Sequence, residues 1–205
     1  MCTARASRPA VDRAADGDRL ATHADALIAL AAGRGQTADP TTAGRDEIAD
    51  PTIAAYAAVA EEPPTRPLLD ALVAQRVRVI LPIVGDDGSL DWAPYDGWDA
   101  LATTRWGLLE PTGRPLGETA LEHAALVVVP ALAVDRAGHR LGRGRGFYDR
   151  ALSNVARERR VAVVYASEFV DRMPVEPHDQ DVGWALTPDG LTRLSAGSAT
   201  GSASQ

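Results

Sequence analysis

A chain of 205 residues, 45% hydrophobic and 24% charged, has the size and composition of one globular domain with a single substantial core. A formal net charge of −7 argues against a general nucleic-acid or membrane-surface binder, and the lone cysteine, Cys2, excludes an internal disulfide framework. No run approaches the ~18–20 apolar residues of a membrane span, and the opening MCTARASRPAVDRAADGD has no apolar signal core, so a soluble, cytoplasmic protein is expected.

In chain order, RLATHADALIALAA (19–32) carries apolar residues at helical spacing and predicts an amphipathic helix. Gly33 to Asp50 is polar and rich in Gly, Thr, Asp and Pro, a long surface loop. Ile53 to Val59 is a short apolar run that periodicity leaves open between strand and helix. Pro67 to Arg76 reads as a helix with proline in its first turn, and VRVILPIV (77–84) as a buried strand. Gly85 to Gly88 gives a turn before SLDWAPY, an excursion at a sheet edge. Leu126 to Val134 predicts a strand, Phe147 to Glu158 a helix, and Val161 to Ala166 a further strand. Trp184 to Thr187 predicts another, followed by a short helix near Asp189. Continuous apolar strands alternating with helices predict an α/β fold, its sheet covered on both faces. The tail from Ser195 is low-complexity and expected to be disordered.

The most informative stretch is LVVVPALAVDRAGHRLGRGRGFYDR (126–150), a strand, then a glycine-rich loop, then a helix. Glycine lets backbone N–H groups converge on an anion, and a helix start adds unpaired N–H groups. Between Arg136 and Arg150 the otherwise acidic chain holds five arginines and one acid, Asp149. That pattern suits capture of a small polyanion; a solvated Gly- and Arg-rich turn is the plain alternative. All 21 of the chain's Lys and Arg residues are arginine, so every phosphate contact elsewhere given to lysine falls to a planar, permanently charged guanidinium. A P-loop is excluded by the missing lysine. A dinucleotide fingerprint fits Gly142 and Gly144, but its third glycine falls one residue early, at Gly146, although Glu168 stands where a ribose-binding acid would. An RNA-binding RG loop would need more aromatic platforms than Phe147 and Tyr148. The four histidines lack zinc-like spacing, and the four tryptophans are expected to pack.

The run RLGRGRGFYDRAL, preceded by VPALAVD, resembles the signature of the 5-formyltetrahydrofolate cyclo-ligase family (methenyltetrahydrofolate synthetases), roughly RLGxGxGYYDRxL after VPxLAxD. AAYAAVAEEPPT is similar to the family's segment around E-x-x-T, with Glu62 and Thr65 in register; GLLEP and EPHDQDVGWALTPDGL are similar to its middle and closing motifs. The similarity runs from about residue 52 to 194. It implies a three-layer α/β sandwich, a central, largely parallel sheet flanked by helices. Residues 1–194 would form one domain, with 1–50 a divergent helix and loop, followed by the tail at 195–205.

The resemblance also implies an activity, the ATP- and Mg-dependent cyclisation of 5-formyltetrahydrofolate to 5,10-methenyltetrahydrofolate by a monomer. Arg140, Gly142, Arg143, Gly144, Arg145, Gly146 and Phe147 would bind the nucleotide. Arg145 and Tyr148 would act in catalysis; Glu62, Ala57, Phe147 and Tyr148 would contact the folate; Asp149 and Asp179 would hold magnesium. Phe147 and Tyr148 are equally read as core anchors, Asp149 as an acid favoured at a helix start, and Glu61 leaves the register of Glu62 open by one. The chain departs from the family in three places. Where members carry a basic pattern on the first helix, it has Arg5, Arg8 and Arg13 with Pro9 interrupting; the polar Gly33–Asp50 segment is long for the family; and Gly183 replaces a second aspartate of the closing motif. These departures leave room for a degenerate paralogue that binds folate or nucleotide without turnover.

Overall fold

The computed structural model describes residues 2–33, 51–174 and 179–195; the loop expected from 34 to 50, His178 and the tail after Ser195 lie outside the described residues. The chain opens with α1 (Cys2–Ala6), α2 (Ala10–Ala21) and α3 (Ala24–Ala32). The single helix expected over 19–32 is therefore two. They part at Thr22, whose hydroxyl donates to the Arg19 carbonyl at 2.7 Å, a local bond that competes with the helical ladder. β1 (Thr52–Ala54) takes only the start of the ambiguous run. α4 (Arg66–Ala74), β2 (Arg78–Val84) and β3 (Leu90–Pro94) follow as expected, β3 as an antiparallel edge strand. β4 (Leu101–Thr103) and β5 (Leu109–Pro111) form a separate hairpin, followed by α5 (Ala120–His123) and β6 (Leu126–Pro130).

The strand expected to reach Val134 stops at Pro130, which has no N–H to continue the ladder. The chain then enters a second, small sheet of β7 (Ala133–Asp135), β8 (Arg140–Leu141) and β10 (Phe169–Val170). Asp135, fully buried, knots this sheet: one carboxylate oxygen accepts from the Ala137 and His139 N–H groups, the other from Met173 N–H at 3.1 Å and His139 Nδ1 at 2.8 Å. Burial pushes the Asp135 carboxyl up, but these bonds outweigh it and hold it below the ordinary carboxylate range.

The helix expected over 147–158 shrinks to α6 (Phe147–Ala151). Its continuation is replaced by the Arg160 guanidinium, which donates to the carbonyls of Leu152 (2.9 Å), Val155 (2.5 and 2.9 Å) and Asp181 (2.8 Å), satisfying backbone acceptors that a longer helix would have used. β9 (Arg160–Val163) and β11 (Trp184–Thr187) complete the parallel strands. The short helix expected near Asp189 is instead a turn, Pro188–Asp189, that closes a hairpin with β12 (Gly190–Arg193), as its proline and aspartate favour.

The main sheet has the order β12-β11-β9-β6-β1-β2-β3, parallel throughout its interior and antiparallel at both edges. Side chains alternate between two cores. Ile53, Val79, Leu126, Val128 and Val161 face Leu20, Leu27, Leu68 and Leu72 of α2, α3 and α4. Ala54, Ile80, Val127, Val129 and Ala162 face Leu121, Leu152 and Val155 on the other side. This is the three-layer arrangement expected, and it explains why the interior strands read as unbroken apolar runs. No helix among the described residues is long and apolar enough to cross a membrane.

Candidate active site

From β1 the chain moves outward to its neighbour β2, whereas from β6 it moves the opposite way, to β9 and β11. Where connections leave two adjacent parallel strands in opposite directions, a crevice opens beyond their carboxyl ends. A cavity of about 400 Å³ lies there, lined by Tyr56 and Ala57 after β1, by Pro130 to Leu132 after β6, and by the glycine-rich loop.

Glu62 enters this cavity because Thr65 folds the segment back: its hydroxyl donates to the Tyr56 carbonyl at 2.8 Å and accepts from Ala58 N–H at 2.9 Å. That staple is the physical content of the E-x-x-T spacing. Of the two adjacent acids, Glu62 is buried and lines the cavity, while Glu61 does not. Burial pushes the Glu62 carboxyl above the ordinary range, opposed by the Val59 N–H at 3.1 Å and by the charge of Arg143. Ala57 sits beside it, bridged to Leu109 of β5. A second buried acid, Glu110, lines the cavity from β5, accepting from Val84 N–H at 3.2 Å, and burial raises its carboxyl too. Glu110 and Tyr56 were not singled out in the sequence, although both stand inside quoted motifs, GLLEP and AAYAAVAEEPPT.

The loop Gly142–Gly146 also lines the cavity. Gly144 and Gly146 have φ of +78° and +68°, left-handed values that favour glycine, and Gly146 directly precedes α6. The helix that follows has five residues, so an anion here relies on guanidinium groups and loop N–H groups more than on a helix dipole. α6 docks on the β2–β3 turn: Arg150 Nη2 donates to the Gly88 carbonyl at 2.6 Å, and a Cβ at residue 88 would fall 2.8 Å from Phe147 Cε1. Phe147 and Tyr148 both line the cavity and pack against the second core. Burial, followed by the negative charge of Glu62, pushes the Tyr148 hydroxyl well up and keeps it protonated.

Arg140 of β8 and the two loop arginines have different environments. Arg140, its side chain only 3% exposed, reaches Asp149 Oδ1 at 2.5 Å and the Pro130 carbonyl at 3.4 Å. Arg143 reaches Glu62 Oε1 at 3.0 Å with half its side chain exposed. Arg145 lies over the Trp106 ring at 5.0 Å and the Phe147 ring at 5.9 Å. Trp106, at the tip of the β4–β5 hairpin, is 43% exposed and lines the cavity, unlike Trp92, which packs fully buried as expected of all four tryptophans.

Of the residues expected at the site, the structure gathers Ala57, Glu62, Arg140, Gly142, Arg143, Gly144, Arg145, Gly146, Phe147, Tyr148 and Asp149 around one cavity. Asp179 is not among its lining residues, and among the described residues no group of three or more His, Cys, Asp or Glu is arranged to hold a metal ion. The N-terminal arginines do not line it either. Arg5 is buried, donating to both Glu168 oxygens (2.6 and 2.7 Å) and the Ala131 carbonyl (2.6 Å), while Arg8 pairs with Asp16. Glu168 therefore holds α1 in place, which removes the acid that a dinucleotide reading needed. Gly183 has a steric origin: a Cβ there would lie 2.7 Å from the Arg157 carbonyl oxygen.

A family model described as the 5-formyltetrahydrofolate cyclo-ligase family matches residues 45–188. The chain is 42% identical over 140 residues to the 5-formyltetrahydrofolate cyclo-ligase of Mycolicibacterium smegmatis, covering 65% of this chain and 72% of that protein. It is 32% identical over 128 residues to the one from Escherichia coli K12, covering 60% and 70%. Among solved structures, the 5,10-methenyltetrahydrofolate synthetase of Aquifex aeolicus superposes with a TM-score of 0.64 at 22% identity, over 94% of this chain and 88% of that one. The synthetase of Mycoplasma pneumoniae gives 0.60 at 16% identity, over 90% and 92%.

Proposed function

Because the chain belongs to the 5-formyltetrahydrofolate cyclo-ligase family, we propose that it cyclises 5-formyltetrahydrofolate to 5,10-methenyltetrahydrofolate, converting ATP to ADP and phosphate. The observation that carries this reading is a cavity lined both by a buried carboxylate, Glu62, and by the Gly142–Gly146 loop with its arginines. The carboxylate suits the N–H groups of a pterin ring, the loop the phosphates of a nucleotide. In the reaction the formyl oxygen attacks the γ-phosphate, N10 attacks the activated carbon, and phosphate departs. Positioning and charge stabilisation are most of what such a transfer asks of a protein.

Glu62 accepts from the pterin, with Ala57 and Phe147 shaping its surroundings. Arg143, Arg145 and the loop N–H groups take the phosphates, and Arg145 follows the charge of the transferring phosphoryl group. Tyr148, held neutral, donates a hydrogen bond beside the reacting formyl group. Arg140 keeps Asp149 turned toward the cavity.

Magnesium fits this donor set as an ion held mostly by phosphate oxygens and water. Asp149 lines the cavity, its side chain is 24% exposed, and Arg140 engages only its Oδ1. When bound, the ion neutralises phosphate charge; Asp179 is the second acid proposed for it. The test is to mix protein, ATP, magnesium and 5-formyltetrahydrofolate and follow the absorbance of the methenyl product. A folded protein that gives no product at high ATP overturns the reading in favour of a binding paralogue.

A further inference from the structure

Arg143 and Glu62 are assigned above to different substrates, yet they are bound to each other. The Arg143 guanidinium, on the loop, lies 3.0 Å from Glu62 Oε1, on the segment after β1, and both residues line the same cavity. Their exposures are unequal: the Glu62 side chain is 9% exposed and that of Arg143 is 52%. The carboxylate is therefore fixed, by burial and by the Val59 N–H, while the guanidinium sits on a long side chain with open space around it. Open space also flanks the backbone that carries it: a Cβ at Gly144 would meet nothing within 4 Å, and at Gly142 only the Arg140 Nη1. Of the two partners, Arg143 is the one able to leave.

Resting on the functional reading above, we propose that the Arg143–Glu62 pair couples the two substrate sites, holding Arg143 away from the nucleotide until folate takes Glu62. An arriving pterin brings N–H donors to the Glu62 oxygens and displaces the guanidinium. A displaced arginine in a partly enclosed cavity needs a new anion, and the phosphates at the loop supply it. Each ligand then binds more tightly when the other is present, by the same factor, because the coupling is a property of the shared equilibrium. ATP bound without folate lacks one of its guanidinium contacts, which suppresses transfer of its phosphoryl group to water.

The experiment measures dissociation constants for a non-hydrolysable ATP analogue with magnesium, by calorimetry, in the presence and absence of 5-formyltetrahydrofolate. In the wild-type protein folate tightens the analogue by about fivefold, at the lower end of ordinary coupling factors. Glu62→Gln keeps an oxygen for the Val59 N–H but releases Arg143, so it binds the analogue more tightly than wild type with no folate present. Arg143→Ala still binds folate but shows a coupling factor near one. The proposal is overturned if folate leaves the wild-type affinity unchanged, if Glu62→Gln binds the analogue no more tightly, or if full coupling survives in Arg143→Ala. Should Glu62→Gln not fold, the other two measurements decide alone. A wild-type protein that binds no folate fails the functional reading itself, a result separable from a protein that binds both ligands independently.

Discussion

Glu62 shows how one buried acid ties binding to pH. Because burial raises its carboxyl, the group contributes most to stability below its unfolded pKa, and that contribution is lost as pH rises through the raised folded value. The ionised form, paired with Arg143, is kept at a cost in stability, and its use is to accept from donors at both oxygens, whereas protonation turns one oxygen into a donor. Folate affinity should therefore fall as pH is lowered toward the raised pKa, a dependence absent from Glu62→Gln; titrating the dissociation constant from pH 8 to 5 on both proteins checks it. Asp149 carries a different double burden. Asp149→Asn should abolish turnover, but it also strips the counter-charge from Arg140, whose side chain is 3% exposed. Removing one partner of a fully buried pair costs about 3–5 kcal/mol, and the partial exposure of Asp149 places this case below that range. The variant should stay folded with a lowered Tm by calorimetry, and an inactive protein assayed well below that Tm is the expected result. Undiminished activity removes Asp149 from the metal site.

At the scale of elements, the N-terminal helix behaves as a brace. Arg5 of α1 reaches across the fold to Glu168 and Ala131, so its cation is already committed. Removing the first 15 residues should leave the ATP KM unchanged while lowering Tm, because Glu168 loses its cationic partner. A raised KM with an unchanged Tm would return the arm to the nucleotide site. The strands were legible because their signal is local: Val127 and Val129 alternate with Leu126 and Val128 between two cores, which writes an unbroken apolar run. The glycine loop was legible for the same reason, since its contacts come from consecutive residues. The lengths of α6 and β6 were not. Arg160, distant along the chain, claims the carbonyls after α6, and Pro130 diverts a run whose apolar pattern continues to Val134. Tyr56 and Glu110 were missed because they meet only in the folded crevice, where no linear spacing relates them.

For the molecule as a whole, the cavity draws its walls from the ends of β1 and β6, the β4–β5 hairpin and the loop before α6. A ligand seated there bridges parts of both cores and binds only the folded state. Nucleotide and folate together should raise Tm, each contributing about 2.7 kcal/mol at one hundred times its dissociation constant; a thermal melt unmoved by either would mean the crevice takes neither. Trp106 adds an optical consequence. Its indole lines the cavity, partly exposed, with the Arg105 and Arg145 guanidinium groups over the ring, while Trp92 is sealed in the interior and neither Trp98 nor Trp184 borders the crevice. When phosphates draw Arg145 off that ring, the indole's emission should change in colour and intensity. Occupancy of the site can thus be watched in unlabelled protein, and in Trp106→Phe the emission of the three remaining tryptophans should not respond to ligand.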